Sequence, residues 1–382
     1  MKILMLNYEF PPIGGGAGKA NLCLLHEYAK CEDLQVDVLT SAPKPGFVEE
    51  VFSDNIRIFK VGIRKQQLHY WRKSEVMAWL LKTRRHYYRL VRENQYDLSH
   101  AFFAFPTGWF CYRDAAKLPY IISLRGSDVP GYNMRLGLDY KLLSGLFRRI
   151  WSKASIVVAN SKGLRSLAFD FMPDLDIKVI PNGIDTEKFY PSQKPDISKP
   201  LQMLTVCRLI GRKRIDLLIR ATAHASKLGL DVQLNIAGYG NLLDPLQSLA
   251  NELDIADKVI FMGRIPSEQM PQLYRDNDIF VMSSAHEGMS NAMLEAMASG
   301  LPIITTECEG VEELIADNGI IVQTANPEDF TQAIKQIAEN RDVYERMSTA
   351  ARKRANEFNW NTVATDYLEL YKTVCRTKEV GE

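Results

Sequence analysis

The sequence predicts an α/β protein of two doubly wound, Rossmann-like domains, and three observations carry that prediction. Short apolar runs of strand length alternate with longer helix-patterned or loop segments throughout the chain, the mark of parallel sheets covered by helices. One stretch, Pro191-Ser-Gln-Lys-Pro-Asp-Ile-Ser-Lys-Pro200, has three prolines and almost nothing apolar, and the alternation restarts beyond it. The length, 382 residues, suits two domains of ordinary size. On this reading residues 1–190 form an N-terminal domain, 191–200 a linker and 201–359 a C-terminal domain, the two domains facing each other across a ligand cleft.

The strand candidates of the first half are Ile3–Leu6, Val36–Leu39, Ile121–Leu124 and Ile156–Ala159. Those of the second are Met203–Val206, Gln233–Ala237, Val259–Met262, Ile279–Met282 and Pro302–Thr305. Beyond them Trp360, Val363, Tyr367, Tyr371 and Val374 recur at helical spacing, so 360–382 reads as a helix that packs back on the N-terminal domain.

A hydrophobic content of 46% and a charged content of 24% are enough for a sizeable core and exclude a disordered chain. Lys and Arg number 47 against 46 Asp and Glu, a net charge of +1, which argues against a nucleic-acid binder. The balance is uneven, however. Residues 1–190 hold 27 basic and 19 acidic side chains, and the remainder 20 and 27. Residues 64–92 supply much of the excess: Arg64, Lys65, Arg72, Lys73, Lys82, Arg84, Arg85, Arg89 and Arg92 are interleaved with Trp71, Trp79, Leu80, Leu81, Tyr87 and Tyr88. Such a basic, aromatic helix suits an anionic membrane surface; the competing reading is a solvated helix whose aromatics face the core. Six scattered cysteines, with no C-x-x-C pair, read as thiols in a reducing compartment. The apolar run Ile3-Leu4-Met5-Leu6 is too short for a signal peptide, and no uncharged stretch approaches bilayer length. A cytoplasmic protein, peripheral on the inner face of the membrane at most, is expected.

The most informative segment is Ser283-Ser-Ala-His-Glu-Gly-Met-Ser-Asn-Ala-Met-Leu-Glu-Ala-Met-Ala-Ser-Gly-Leu-Pro302. Ser290 or Asn291 can cap a helix that stops at Gly300. Its first-turn N–H groups, approached closely at Gly288, form an anion site flanked by Glu287 and Glu295. A carboxylate accepts hydrogen bonds from vicinal hydroxyls, so two acids around a phosphate site suit a nucleoside diphosphate sugar. A merely structural helix would leave Glu295 without a partner. The turn Val206-Cys-Arg-Leu-Ile-Gly-Arg-Lys-Arg-Ile215 adds Arg208 and Lys213, five residues apart, which can meet on one diphosphate.

These residues resemble the family 4 glycosyltransferases, nucleotide-sugar-dependent enzymes of the GT-B fold. The resemblance spans nearly the whole chain: Pro11-Pro-Ile-Gly-Gly-Gly-Ala-Gly18, Asn160-Ser161-Lys162, Val179-Ile-Pro-Asn-Gly-Ile-Asp185, Arg208 with Lys213, Ala237-Gly-Tyr-Gly240, Val259-Ile-Phe-Met-Gly263, and Glu287 with Glu295. It implies an acceptor-binding N-terminal domain and a donor-binding C-terminal one. By this resemblance Arg208 and Lys213 bind the donor diphosphate and Glu295 the ribose. Glu287, with the backbone of Gly288, Met289, Ser290 and Asn291, holds the sugar and its phosphate. Gly263 and Arg264 meet the base, while Gly15 and Gly16 lie against diphosphate and acceptor. The donor expected is a UDP-sugar, with a GDP-sugar as alternative, and there is no other cofactor and no metal. The acceptor expected is a glycan or a lipid-linked glycan of a bacterial surface polysaccharide, and transfer retains anomeric configuration.

Two positions depart from the family pattern. Arg125, in Ser123-Leu-Arg-Gly-Ser-Asp128, stands where many relatives have a histidine; it can bind a phosphate or carboxylate of a substrate, or form a structural pair with Asp128. Glu309-Gly310 stands where relatives often have two glycines. The triplets Asp174-Leu-Asp176 and Asp276-Asn-Asp278 read as structural rather than metal-binding. A P-loop fails, because the earlier glycine would fall at Ile13 and the final Ser/Thr at Ala20. A Rossmann dehydrogenase fails on the alternating Gly14, Gly16 and Gly18. A nucleotide-sugar epimerase, a transferase acting on a soluble small molecule and an inactive subunit remain as alternatives.

Overall fold

The computed structural model describes all residues except 69, 134–135, 193–198 and 382. The chain divides into two compact units, Met1–Asn182 with Trp360–Glu382, and Gly183–Asn359.

The first unit runs β1 (Lys2–Asn7), α1 (Gly16–Tyr28), β2 (Gln35–Ala42), β3 (Phe47–Ser53), β4 (Ile56–Gly62), α2 (Lys73–Glu93), β5 (Leu98–Phe102), α3 (Thr107–Arg113), β6 (Tyr120–Leu124), α4 (Gly137–Lys153), β7 (Ile156–Ala159), α5 (Lys162–Phe171) and β8 (Ile177–Val179). The strands form one sheet in the order β3-β4-β2-β1-β5-β6-β7-β8. All neighbours are parallel except β3 and β4. Ile3 to Leu6 are wholly buried because a central parallel strand is covered on both faces. Strands β3, β4, β5 and β8 are additional to the runs marked in the first half of the sequence. Edge strand β3 leaves Val48 and Val51 exposed around Glu49 and Glu50, and β5 is interrupted by Ser99 and His100, both buried.

The second unit runs β9 (Leu201–Val206), a single 3₁₀ turn (Gly211–Lys213), α6 (Ile215–Lys227), β10 (Val232–Ala237), α7 (Leu243–Glu252), β11 (Val259–Gly263), α8 (Met270–Arg275), β12 (Ile279–Met282), α9 (Asn291–Ala298), β13 (Ile303–Thr306), α10 (Val311–Leu314), β14 (Gly319–Val322), α11 (Pro327–Ala338) and α12 (Arg341–Ala355). Its sheet, in the order β11-β10-β9-β12-β13-β14, is parallel throughout. The chain builds outward from β9 to β11, then returns to β9 and builds the other way. Loops leaving the carboxyl ends of β9 and β12 therefore lie where the strand order reverses, the usual place for a ligand in such a sheet.

The units part between Asn182 and Gly183, ahead of the proline-rich stretch where the linker was expected, and residues 193–198 of that stretch lie outside the described residues. Tertiary contacts claim the intervening segment. Ile184 and Phe189 are buried in the second unit's core, and Arg352 of α12 donates to the Thr186 and Phe189 carbonyls.

The last helix, α13 (Trp360–Gly381), belongs to the first unit. Val363, Ala364, Tyr367, Tyr371 and Val374 share the core of β1 and β5. The Tyr371 hydroxyl lies 2.7 Å from His100 Nδ1 and 3.1 Å from the Tyr28 hydroxyl. Tyr371→Ala is expected to remove both contacts and open a cavity, costing about 3–5 kcal/mol in urea unfolding.

Candidate functional site

The loops that leave β9 and β12 are laced together. Ser283 Oγ donates to the carbonyls of Lys213 (2.9 Å) and Arg214 (2.8 Å), Ala285 N donates to the Arg212 carbonyl (2.8 Å), and Arg212 Nη1 donates to the His286 carbonyl (3.0 Å). Arg214 turns the chain into α6 with φ of +47°. This lacing brings the Lys213 ammonium onto Glu287 Oε1, which also accepts from Ser284 Oγ at 3.3 Å. Each residue of the pair is only 9% exposed. Burial, together with the Arg212 and Arg208 guanidiniums, brings the Lys213 amine down to about 8.

Beyond Glu287 the chain enters α9. Ser290, rather than Asn291, caps it, its hydroxyl accepting from Met293 N at 3.3 Å. Gly300, with φ of +75°, ends it. Met289 is 6% exposed in the apolar core, which leaves its backbone as the part able to meet a ligand. Glu295, 5% exposed, accepts a 3.0 Å bond from the Tyr274 hydroxyl, so the expectation that a structural helix would leave it without a partner is overturned. Spacing in the sequence does not foretell that donor, because Tyr274 arrives from α8. Glu309 accepts from Glu287 N (3.0 Å) and lies 3.0 Å from His286 Nδ1, which fixes the 286–287 turn. Gly310 cannot be larger, since a Cβ there would stand 2.4 Å from the Gly288 carbonyl oxygen.

On the other side, Gly238 N donates to the Gly263 carbonyl at 2.8 Å. A Cβ on Gly238 would fall 1.8 Å from the Cys207 carbonyl oxygen, while one on Gly263 would meet nothing. Burial raises the Tyr239 hydroxyl, a shift that the charges of the exposed Arg264 and Arg208 oppose. The second unit thus brings Arg208, Lys213, Gly263, Arg264, Glu287 to Asn291 and Glu295 to one sheet edge.

In the first unit Gly15 caps α1 and its N–H donates to Glu9 Oε2 at 3.3 Å, and Gly16 opens that helix. Asp128 is 1% exposed and accepts from the Ala104 and Arg125 amides at 2.7 and 2.8 Å. Burial lifts its carboxyl to about 6. Asp128 thereby shapes the loop, and it meets Arg125 through the backbone amide and through the guanidinium's charge. The Arg125 guanidinium donates to Asn182 Oδ1 and the Tyr367 hydroxyl at 2.9 and 3.4 Å.

Two family models divide the chain between them: that of glycosyltransferase family 4 matches residues 14–188, and that of the group 1 glycosyl transferases matches residues 187–354. The chain is a family 4 type glycosyltransferase. An uncharacterised glycosyltransferase of Methanocaldococcus jannaschii is 24% identical over 97% of this chain and 98% of its own. The D-inositol 3-phosphate glycosyltransferase of Corynebacterium aurimucosum is 25% identical over 97% and 96%. Anabaena HepE, crystallised with UDP and glucose, superposes with a TM-score of 0.71 at 20% identity over 98% of this chain and all of that one. The fold of this glycosyltransferase is GT-B.

Among its described residues no group of three or more His, Cys, Asp or Glu could hold a metal ion. Asp176 pairs with Lys178, and Asp278 accepts from Gln202 N. The residues that sequence reasoning missed at the site are Arg212, Ser283, Ser284, His286 and Tyr274. Of these only Arg212 carried a signal, as part of the basic run 212–214.

A dehydrated ammonium beside two guanidiniums and a capped helix can bind a diphosphate. The Lys213 amine sits at about 8 against an ordinary 10.5, so the folded chain sheds this proton first and gains stability from this group as pH rises across that window. A bound diphosphate favours the ammonium. Pyrophosphate titrated in just above pH 8 is therefore expected to draw a proton from solution, measured by calorimetry in two buffers of different ionisation heat, and Lys213→Ala to abolish the uptake.

Proposed function

We propose that this glycosyltransferase moves a hexosyl group from a nucleoside diphosphate sugar to a hydroxyl of a glycan or lipid-linked acceptor, in the synthesis of a bacterial surface polysaccharide. The reading is carried by one observation: the buried Lys213–Glu287 pair bridges the reversal of the second unit's sheet, next to the capped start of α9. The donor diphosphate takes Lys213 and Arg208, and the backbone from Gly288 to Asn291 meets its phosphate oxygens. Glu287 turns to the sugar hydroxyls and Glu295 to the ribose, while Gly263 and Arg264 border the base. HepE in complex with UDP supports uridine as the base.

Transfer retains configuration. The acceptor oxygen bonds to the anomeric carbon on the face from which the nucleoside diphosphate leaves, the carbon–phosphate-oxygen bond breaks, and the departing oxygen takes the acceptor's proton. Catalysis comes mainly from cations and N–H groups that stabilise the charge growing on that oxygen, and no metal is needed.

The first unit takes the acceptor, with Gly15 and Gly16 beside it. Trp79 and Tyr87, which a membrane-binding α2 would expose, are fully buried. Met77 and Leu81 instead stand 51% and 71% exposed among exposed Lys73, Lys82, Arg84 and Arg85. This corrected face supports contact with an anionic membrane, where a lipid-linked acceptor resides.

A panel of UDP-, GDP- and ADP-sugars scored by thermal stabilisation identifies the donor, a ligand at about 100 times its Kd adding about 2.7 kcal/mol; no stabilisation by any of them refutes the reading. Lys213→Ala and Arg208→Ala are each expected to lower turnover about 10²–10³-fold with the fold intact and chelator to have no effect. Met77→Ser with Leu81→Ser is expected to weaken binding to anionic vesicles roughly tenfold or more, read by co-sedimentation.

A further inference from the structure

We propose that Arg125 is a prebuilt receptor for a substrate oxyanion, a phosphate or a carboxylate, positioned by the Tyr367 hydroxyl of the final helix. The proposal deepens the transferase reading and rests on it for the word substrate. Arg125 leaves the carboxyl end of β6, where Nη1 donates to Asn182 Oδ1 at 2.9 Å, Nη2 donates to the Tyr367 hydroxyl at 3.4 Å, and the guanidinium carbon stands 4.5 Å from the centre of the Phe102 ring. Tyr367 is held in turn from the core. Its hydroxyl lies 2.8 Å from Ser123 Oγ, which lies 2.8 Å from His100 Nε2, and His100 is wholly buried.

Every group that holds the guanidinium is neutral. Asp128 accepts from the Ala104 and Arg125 amides, and its carboxyl feels the Arg125 charge without an ion pair to the guanidinium among the described residues. Among the described residues Arg125 Nε is buried without a partner. A structural arginine settled against its own chain ordinarily closes its charge on a carboxylate. A planar cation that is fixed, half-buried and without a direct ion pair among the described residues is instead matched to an oxyanion brought by a ligand, bound through its fork of N–H donors.

The anion can come from the acceptor or from the donor diphosphate, and one experiment separates the two. Inorganic phosphate is titrated by calorimetry into the full chain, free and saturated with UDP, for wild type and Arg125→Gln. If wild type binds phosphate on top of UDP, and the variant loses at least about tenfold in phosphate affinity while keeping UDP, the anion is the acceptor's. If instead the variant loses UDP affinity by that factor, the anion is the donor's. Phosphate and UDP affinities that Arg125→Gln leaves both unchanged, or phosphate that never binds the free wild type while UDP binding is unaltered, overturn the proposal. Arg125→Lys carries the same test should the glutamine variant not fold, because it keeps the charge and loses the fork. Tyr367→Phe is expected to weaken the same ligand several-fold without lowering Tm, and an unchanged affinity refutes its positioning role. Failure of every nucleotide to bind wild type would sink the transferase reading, yet phosphate binding lost with Arg125 would still uphold the receptor.

Discussion

The candidate donor site depends on a single buried ion pair, Lys213 with Glu287, set where the second unit's sheet reverses direction. Withdrawing two charges from water costs several kcal/mol apiece, and well-packed apolar residues would generally be more stable in their place. The surroundings are arranged around that cost. Ser283 and Arg212 stitch the two loops together, Ser284 adds a donor to the carboxylate, and Glu309 fixes the turn that presents it. Such a site is held ready with its water already removed, which strengthens every charge interaction a ligand can make there.

Local charge and total charge separate in this chain. Residues 191–382 carry 20 basic and 27 acidic side chains, yet Arg208, Arg212, Lys213 and Arg264 collect along one edge of the second sheet. The charge along that edge is set by these four cations, not by the average. The neutral total of +1 describes neither half.

In the first unit a polar chain crosses the core from Tyr28 through Tyr371, His100, Ser123 and Tyr367 to Arg125. Burial lowers the affinity of His100 for a proton, so the ring is held neutral and can accept at one nitrogen and donate at the other. The last helix thereby supplies the Tyr367 hydroxyl to Arg125 and the Tyr371 hydroxyl to His100 and Tyr28, all more than two hundred residues earlier in sequence. Its role is positional as well as structural.

Much of this was legible beforehand. The strands with continuous apolar runs, the capped α9 with its Gly300 stop, and Arg208, Lys213, Glu287 and Glu295 all follow from local pattern, because a buried parallel strand and a helix cap each impose their own residue types within a few positions. Strands β3, β4, β5, β8 and β14 and the boundary at Asn182 did not, since charged or polar positions and short length hide a strand and long-range contacts override composition. The same holds at the sites. Sequence alone determined which residue types line the carboxyl edge of the second sheet. Only the tertiary structure decided that Tyr274 meets Glu295, that Asp128 serves the backbone, and that Arg125 makes no direct ion pair among the described residues, because hydrogen-bond partners are assigned by proximity in space between elements the chain keeps far apart.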